Sequence, residues 1–291
     1  MDIYTSHFGL SERPFTLVPD PDFLFWSDAH RRAFAMLEFG LLTRSPITLV
    51  TGEVGAGKTT LLQHLLRGLE DDLVVGLVSN ALGDRGELLR WVLLALGEAP
   101  VPGATYVELF GQLQAFLIAR YAEGRRVVLI FDEAQNLGAD NLEELRMYTN
   151  INAGKDELLQ IVLVGQPELR ETLSRPELSQ FAQRVASCYH LGTMGAPTVA
   201  AYIAHRLARA GARREIFSAA AAALVHEASG GVPRLVNQLC DRALTYAFAA
   251  GETQVSAALL RQVLEDGVFF LSGQPPRPPV VVAPAQWQKA D

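Results

Sequence analysis

The chain has 291 residues, 49% of them hydrophobic, enough for two compact domains or one large and one small. Its net charge of −7 and sequence pI of about 5.4 argue against a broadly basic nucleic-acid surface, leaving room only for a local patch. No apolar run approaches membrane-spanning length, and Met1-Asp2-Ile3-Tyr4 lacks the basic and apolar start of a signal peptide, so a cytoplasmic protein with no membrane span is expected.

Residues 1–46 read as a lead-in. Phe8-Gly9-Leu10 and Pro14-Phe15 alternate apolar anchors with turn residues, and Pro19-Asp20-Pro21-Asp22 is a strong turn signal. Ser27 or Asp28 is placed to cap a helix running to about Thr43, with Ala33, Leu37 and Leu41 on one face. Phe8, Phe15, Phe23 and Phe25 pack this segment onto the core, or part of it walls a nucleobase pocket.

The apolar run Ile47 to Val50 reads as a buried strand, and Thr59 to Leu69 as a helix. Between them, Gly52-Glu53-Val54-Gly55-Ala56-Gly57-Lys58-Thr59-Thr60 has the G-x-x-x-x-G-K-T spacing of a phosphate-binding loop. Its glycines let successive N–H groups curl around one anion, at a helix N-terminus that favours negative charge. Lys58 is expected to reach the β- and γ-phosphates, and Thr59 to ligate Mg²⁺.

Leu73 to Ser79 is a second strand. Glu87 to Leu96 and Val107 to Tyr121 read as amphipathic helices, the latter burying Leu109, Leu113, Phe116, Leu117 and Tyr121. Val127 to Phe131 is a third strand ending in Asp132-Glu133. A carboxylate at the end of such a strand sits beside the phosphate loop in doubly wound folds. Asp132 is expected to hold the Mg²⁺ water shell, and Glu133 to polarise the water attacking the γ-phosphate.

A helix follows from Asp140 to Asn150, then a fourth strand from Gln160 to Val164 and the turn Gly165-Gln166-Pro167. Gln166 is either a plain turn residue or one placed to feel the γ-phosphate. Arg184 opens a fifth strand, Ala186 to Leu191, as a surface charge or as a group reaching a neighbouring subunit's nucleotide. Cys188 and Cys240 lack metal-ligand spacing and read as small core residues. Helices are expected over Thr198 to Ala210, Ser218 to Ala228, Pro233 to Ala250 and Ser256 to about Asp266, forming a lid. The proline-rich stretch 273–291, with Trp287, reads as extended or disordered.

These residues together resemble the AAA+ ATPases, and more narrowly the bacterial general secretion pathway protein A (ExeA-type) family. Phe8-Gly9-Leu10, Pro14-Phe15, Pro19-Asp20-Pro21, Gly52 to Thr60 and Asp132-Glu133-Ala134-Gln135-Asn136-Leu137 carry the likeness. So do Val164 to Leu169, Gln183-Arg184-Val185 and Gly230-Gly231-Val232-Pro233-Arg234.

The resemblance implies an α/β P-loop fold with a three-layer parallel sheet in the order 5-1-4-3-2 and a C-terminal helical lid. The implied parts are a lead-in over 1–46, a nucleotide-binding domain over 47–195, a lid over 196–272 and a tail over 273–291. It also implies ATP with Mg²⁺, a sensor-1 role for Gln166, an arginine finger in trans at Arg184 with Arg175 as competitor, and a sensor-2 role for Arg234. A ring or filament of identical subunits working on a protein partner is expected. Secretion-type members often add a membrane span and a peptidoglycan-binding domain, neither of which is read here. Relatives without them accompany transposition, exopolysaccharide or exosortase systems, so a transposition-type ATPase on DNA is the alternative, disfavoured by the acidic charge.

Overall fold

The computed structural model describes residues 3–18, 20–69, 72–79, 87–153 and 155–267. A short helix α1 (Thr5–Phe8) leads to α2 (Asp28–Leu42), β1 (Ile47–Gly52), α3 (Lys58–Arg67) and β2 (Leu73–Ser79). Then come α4 (Glu87–Ala95), α5 (Tyr106–Ala122), β3 (Arg126–Asp132) and α6 (Ala139–Tyr148). A small hairpin, β4 (Asn152–Ala153) and β5 (Asp156–Glu157), precedes β6 (Leu159–Gly165), α7 (Pro167–Leu173), α8 (Ser179–Ala182) and β7 (Val185–Leu191). Four helices close the described chain: α9 (Ala196–Arg209), α10 (Ala219–Ser229), α11 (Pro233–Ala249) and α12 (Ala257–Glu265). The tail expected over 273–291, Trp287 included, lies outside the described residues.

The main sheet has five parallel strands in the order β2-β3-β6-β1-β7, which is the order expected for the five strands. Alternation along each strand divides the side chains between two faces. Ile47, Leu49, Leu129, Phe131, Ile161 and Leu163 pack against α4, α5 and α6. Val50, Val128, Ile130, Val162 and Val164 pack against α2 and α3, through Ala33, Leu37, Leu61 and Leu65. Strands covered on both faces are buried along nearly their whole length, and β1, β3 and β6 are so, with Thr48, Thr51 and Gln160 among their buried residues.

β7 lies at the sheet edge and alternates buried with exposed positions. Cys188 falls on its outward side and is exposed, which corrects its reading as a core residue, whereas Cys240 is fully buried. Tyr121 also departs from the expected buried face of α5. It is 42% exposed, and its hydroxyl donates to Asp156 Oδ2 at 2.5 Å across to the hairpin. Leu109, Leu113 and Leu117 form the buried stripe instead.

The lead-in divides between two partners. Tyr4, Phe8, Leu10, Phe15 and Phe23 share one apolar cluster with Val199, Ile203, Val225, Leu239 and Leu260 of the helices α9 to α12. Beyond Trp26 the chain packs on the sheet through α2, which Ser27 caps by accepting from the His30 N–H at 3.2 Å. Arg206 of α9 joins the lead-in to the helices. Its Nε donates to the Pro14 carbonyl at 2.6 Å, and its guanidinium lies 4.5 Å from the Phe23 ring centroid. With 6% exposure it is a cation held by a carbonyl and two aromatic faces. Arg206→Ala is expected to destabilise the protein by roughly 2–3 kcal/mol in denaturant unfolding. Arg206→Lys should recover little of this, because an ammonium lacks the planar fork that stacks and donates together.

Candidate active site

Because β1, β3 and β6 run parallel and in register, their C-terminal ends open on one edge, and the loops there meet in one cleft. The loop after β1 is the phosphate-binding segment. Gly55 (φ 80°) and Gly57 (φ 96°) adopt the left-handed conformation, and Ala56 between them is buried. Gly57 is also the N-cap of α3, and no side chain occupies that helix start. The space in front of it is bordered by Lys58, Thr59 and Thr60, which line the cleft with Val54, Gly55 and Gly57. Gly52 and Glu53 supply the carbonyls that accept from Lys58 Nζ, at 2.6 and 2.9 Å. Burial pushes the Lys58 ammonium down, against the attraction of Glu133, Asp132, Glu53 and Glu168.

Asp132 ends β3 and faces the loop across β6. Its Oδ2 accepts from the Thr59 hydroxyl at 3.0 Å, and its Oδ1 accepts from the Glu133 N–H at 3.0 Å. Burial pushes the Asp132 carboxyl up, and the Thr59 and Glu133 donors oppose the shift. A hydroxyl and a carboxylate one hydrogen bond apart, beside a phosphate cradle, form the hard-oxygen donor set that suits Mg²⁺. These residues fit the ion expected from the sequence.

Glu133 turns out of the strand in the left-handed region (φ 55°, ψ 40°) and lines the cleft. Its Oε2 accepts from Gln135 Nε2 at 2.6 Å and from Gln166 Nε2 at 3.3 Å. Partial burial raises its carboxyl, yet the two amides and the charge of Lys58 outweigh this and hold it below the usual carboxylate range. Glu133 is therefore ionised at neutral pH, the state a general base needs. Gln166 follows the end of β6, against Glu133.

The other wall comes from the lead-in and the helical region. Thr16, Leu17, Val18, Phe23 and Phe25 border the cleft on one side, with Tyr202 of α9 and Asn237 of α11 beside them. Arg234, in the first turn of α11, also lines the cleft, and its N–H donates to the Gly55 carbonyl at 3.2 Å. A Cβ on Gly55 would come within 2.4 Å of Arg234 Cβ, so that glycine is required by the approach of the helix.

Arg184 and Arg175 do not line the cleft. Arg184 donates to the Thr149 hydroxyl at 3.2 Å and to the Asn150 side chain, just beyond α6. Arg175 is exposed, with Glu177 3.9 Å away.

One contributor carried no motif. His30, in the first turn of α2, is buried beneath the phosphate loop. The Ser27 hydroxyl donates to Nδ1 at 2.7 Å, which leaves Nε2–H to donate to the Ala56 carbonyl at 3.2 Å. Burial pushes the imidazole's pKa down and keeps it neutral, against the raising effect of the Ala56 bond. The only trace in the sequence is the spacing Ser27-x-x-His30 at a helix start. His30→Ala is expected to weaken nucleotide binding about tenfold in a fluorescent-nucleotide titration. His30→Gln, which can still donate to Ala56, should bind within about threefold of the parent.

Residues 42–173 match a family model described as an AAA domain. Over 253 residues the chain is 40% identical to general secretion pathway protein A of Aeromonas hydrophila. That match takes in 87% of this chain and 46% of the relative, so the chain spans about half the length of that protein. Among solved structures, Cdc6p from Pyrobaculum aerophilum superposes with a TM-score of 0.66 at 18% identity, covering 94% of this chain and 75% of that one. The Drosophila ORC bound to DNA gives 0.64 at 19%, covering 87% and 64%. At these identities the likeness concerns the fold alone. Among the described residues, no helix is long and apolar enough to cross a membrane. With a phosphate-binding loop, an acid pair and a helical region meeting at one sheet edge, the chain has the P-loop fold of the AAA domain that its residues 42–173 match, and it is similar to general secretion pathway protein A.

Proposed function

We propose that the protein is a Mg²⁺-dependent ATPase that forms homo-oligomers and drives assembly or remodelling of a protein partner. The single observation that carries the chemistry is the convergence of Lys58, Thr59, Asp132 and Glu133 on one cleft under Arg234.

ATP is the substrate, its phosphates lying along the loop N–H groups and Lys58. Thr59 and Asp132 would hold Mg²⁺, which supplies charge neutralisation at the phosphate oxygens. Glu133 accepts a proton from a water whose oxygen forms a bond to the γ-phosphorus. The bond to the β,γ-bridging oxygen breaks, and ADP and inorganic phosphate result. Gln166, donating to the same carboxylate, is suited to sense whether the γ-phosphate is present. Arg234 would report that state to the helices through α11.

The third cation at the transferred phosphate is assigned to Arg184 of an adjoining subunit. Its place outside its own cleft supports a role in trans, and such a finger is worth about 10³–10⁵ in rate in nucleotide hydrolases. Similarity to general secretion pathway protein A supports a partner in a bacterial secretion or polysaccharide-export system, on the cytoplasmic side and peripheral to the inner membrane through that partner.

Lys58→Ala should lose nucleotide binding. Glu133→Gln should bind ATP as the parent does and lower phosphate release by about 10²–10⁴-fold. Unchanged turnover in Glu133→Gln would reject Glu133 as the base. Arg184→Ala and Glu133→Gln proteins, each poorly active alone, should recover turnover when mixed, because the first offers an intact base and the second an intact finger. Silence on mixing would move the finger to Arg175 or to a group in cis.

A further inference from the structure

Gln135 lies in the 3-10 turn Ala134–Asn136, directly after the acid pair, and both polar atoms of its side chain are engaged. Its Nε2 donates to Glu133 Oε2 at 2.6 Å, and its Oε1 accepts from the Gln166 N–H at 3.0 Å. Gln166 completes a triangle, its own Nε2 donating to Glu133 Oε2 at 3.3 Å. One short side chain thus spans two loops that leave different strands, β3 and β6.

Two further features show that the arrangement is built rather than incidental. The turn sits so close to the end of β6 that a Cβ on Gly165 would come within 3.1 Å of Gln135 Oε1 and 3.3 Å of the Gln135 nitrogen. Glu133 itself holds a left-handed backbone that L side chains rarely adopt. Among the described residues only Arg44 shares a positive φ without being glycine. That turn is what brings the Gln135 side chain back alongside the carboxylate two residues earlier.

We infer that Gln135 is a positioning residue that fixes one carboxylate oxygen of Glu133 and locks the catalytic loop to the loop bearing Gln166. With Oε2 held by two amides, the carboxylate cannot rotate freely, and Oε1 is the oxygen left to take the proton from water. The tie between Gln135 Oε1 and the Gln166 backbone makes the two loops move as one body. A displacement of Gln166 therefore re-aims the base. This rests on the ATPase reading above, and adds a residue that neither touches the nucleotide nor ligates the metal.

Gln135→Met keeps the length and bulk of the side chain and removes both hydrogen bonds. Its kcat for phosphate release should fall about tenfold or more, with ATP affinity within twofold of the parent and the melting temperature unmoved. In a Gln166→Ala background the same substitution should cost less than it does in the parent, because the triangle is already broken. Turnover of Gln135→Met within twofold of the parent would overturn the inference. Loss of affinity in step with turnover would do so too, since it would mean a general packing role. Should Gln135→Met lose its fold, Gln135→Leu and Gln135→Glu, measured the same way, decide the matter. Absence of turnover in the parent protein, by contrast, would count against the ATPase reading itself.

Discussion

The hydrogen bond from the Thr59 hydroxyl to the Asp132 carboxylate is the contact around which the site is organised. It joins the first turn of α3 to the end of β3, although β6 lies between the strands that carry them. It can form only because β1, β6 and β3 run parallel and end on the same edge. A shift in strand order would separate the two groups, and a one-residue slip would turn Asp132 to the other face. Asp132 is also constrained from behind, where the Glu133 N–H occupies its second oxygen. The strand end therefore places two carboxylates with different surroundings. One is buried, and burial raises its carboxyl against the Thr59 and Glu133 donors. The other is held by two amides below the usual carboxylate range.

The C-terminal helices meet both this centre and the lead-in. Arg234 meets Gly55 at the phosphate loop, whereas the lead-in shares a continuous apolar cluster with α9 to α12. The lead-in residues up to about Phe25 pack with the helices, and α2 packs on the sheet. The chain between Phe25 and Ser27 passes from one cluster to the other. The cleft is lined by both, and His30 ties the start of α2 to the glycine-rich loop.

Much of this was legible in the sequence, for local reasons. The glycine-rich loop is a contiguous pattern, the central strands are largely apolar, and the acid pair follows the apolar run of β3 directly. Strand order came from family likeness rather than from periodicity, because pairing between distant strands leaves no local trace. Cys188 was misread since an edge strand carries the same residue types as a central one. Tyr121 was misread since its spacing on α5 matched the buried stripe while its hydroxyl had a partner on a hairpin too short to show a pattern. His30 and Gln135 went unassigned because their roles depend on distant backbone, the Ala56 carbonyl and the Gln166 N–H.

The most direct measurement of the central claim follows labelled ATP retention and phosphate release with Mg²⁺ while the concentration of purified protein is varied. ATP should be retained at every concentration, and turnover per subunit should rise as subunits associate and a second copy completes each cleft. A protein that neither holds ATP nor releases phosphate at any concentration would contradict the account.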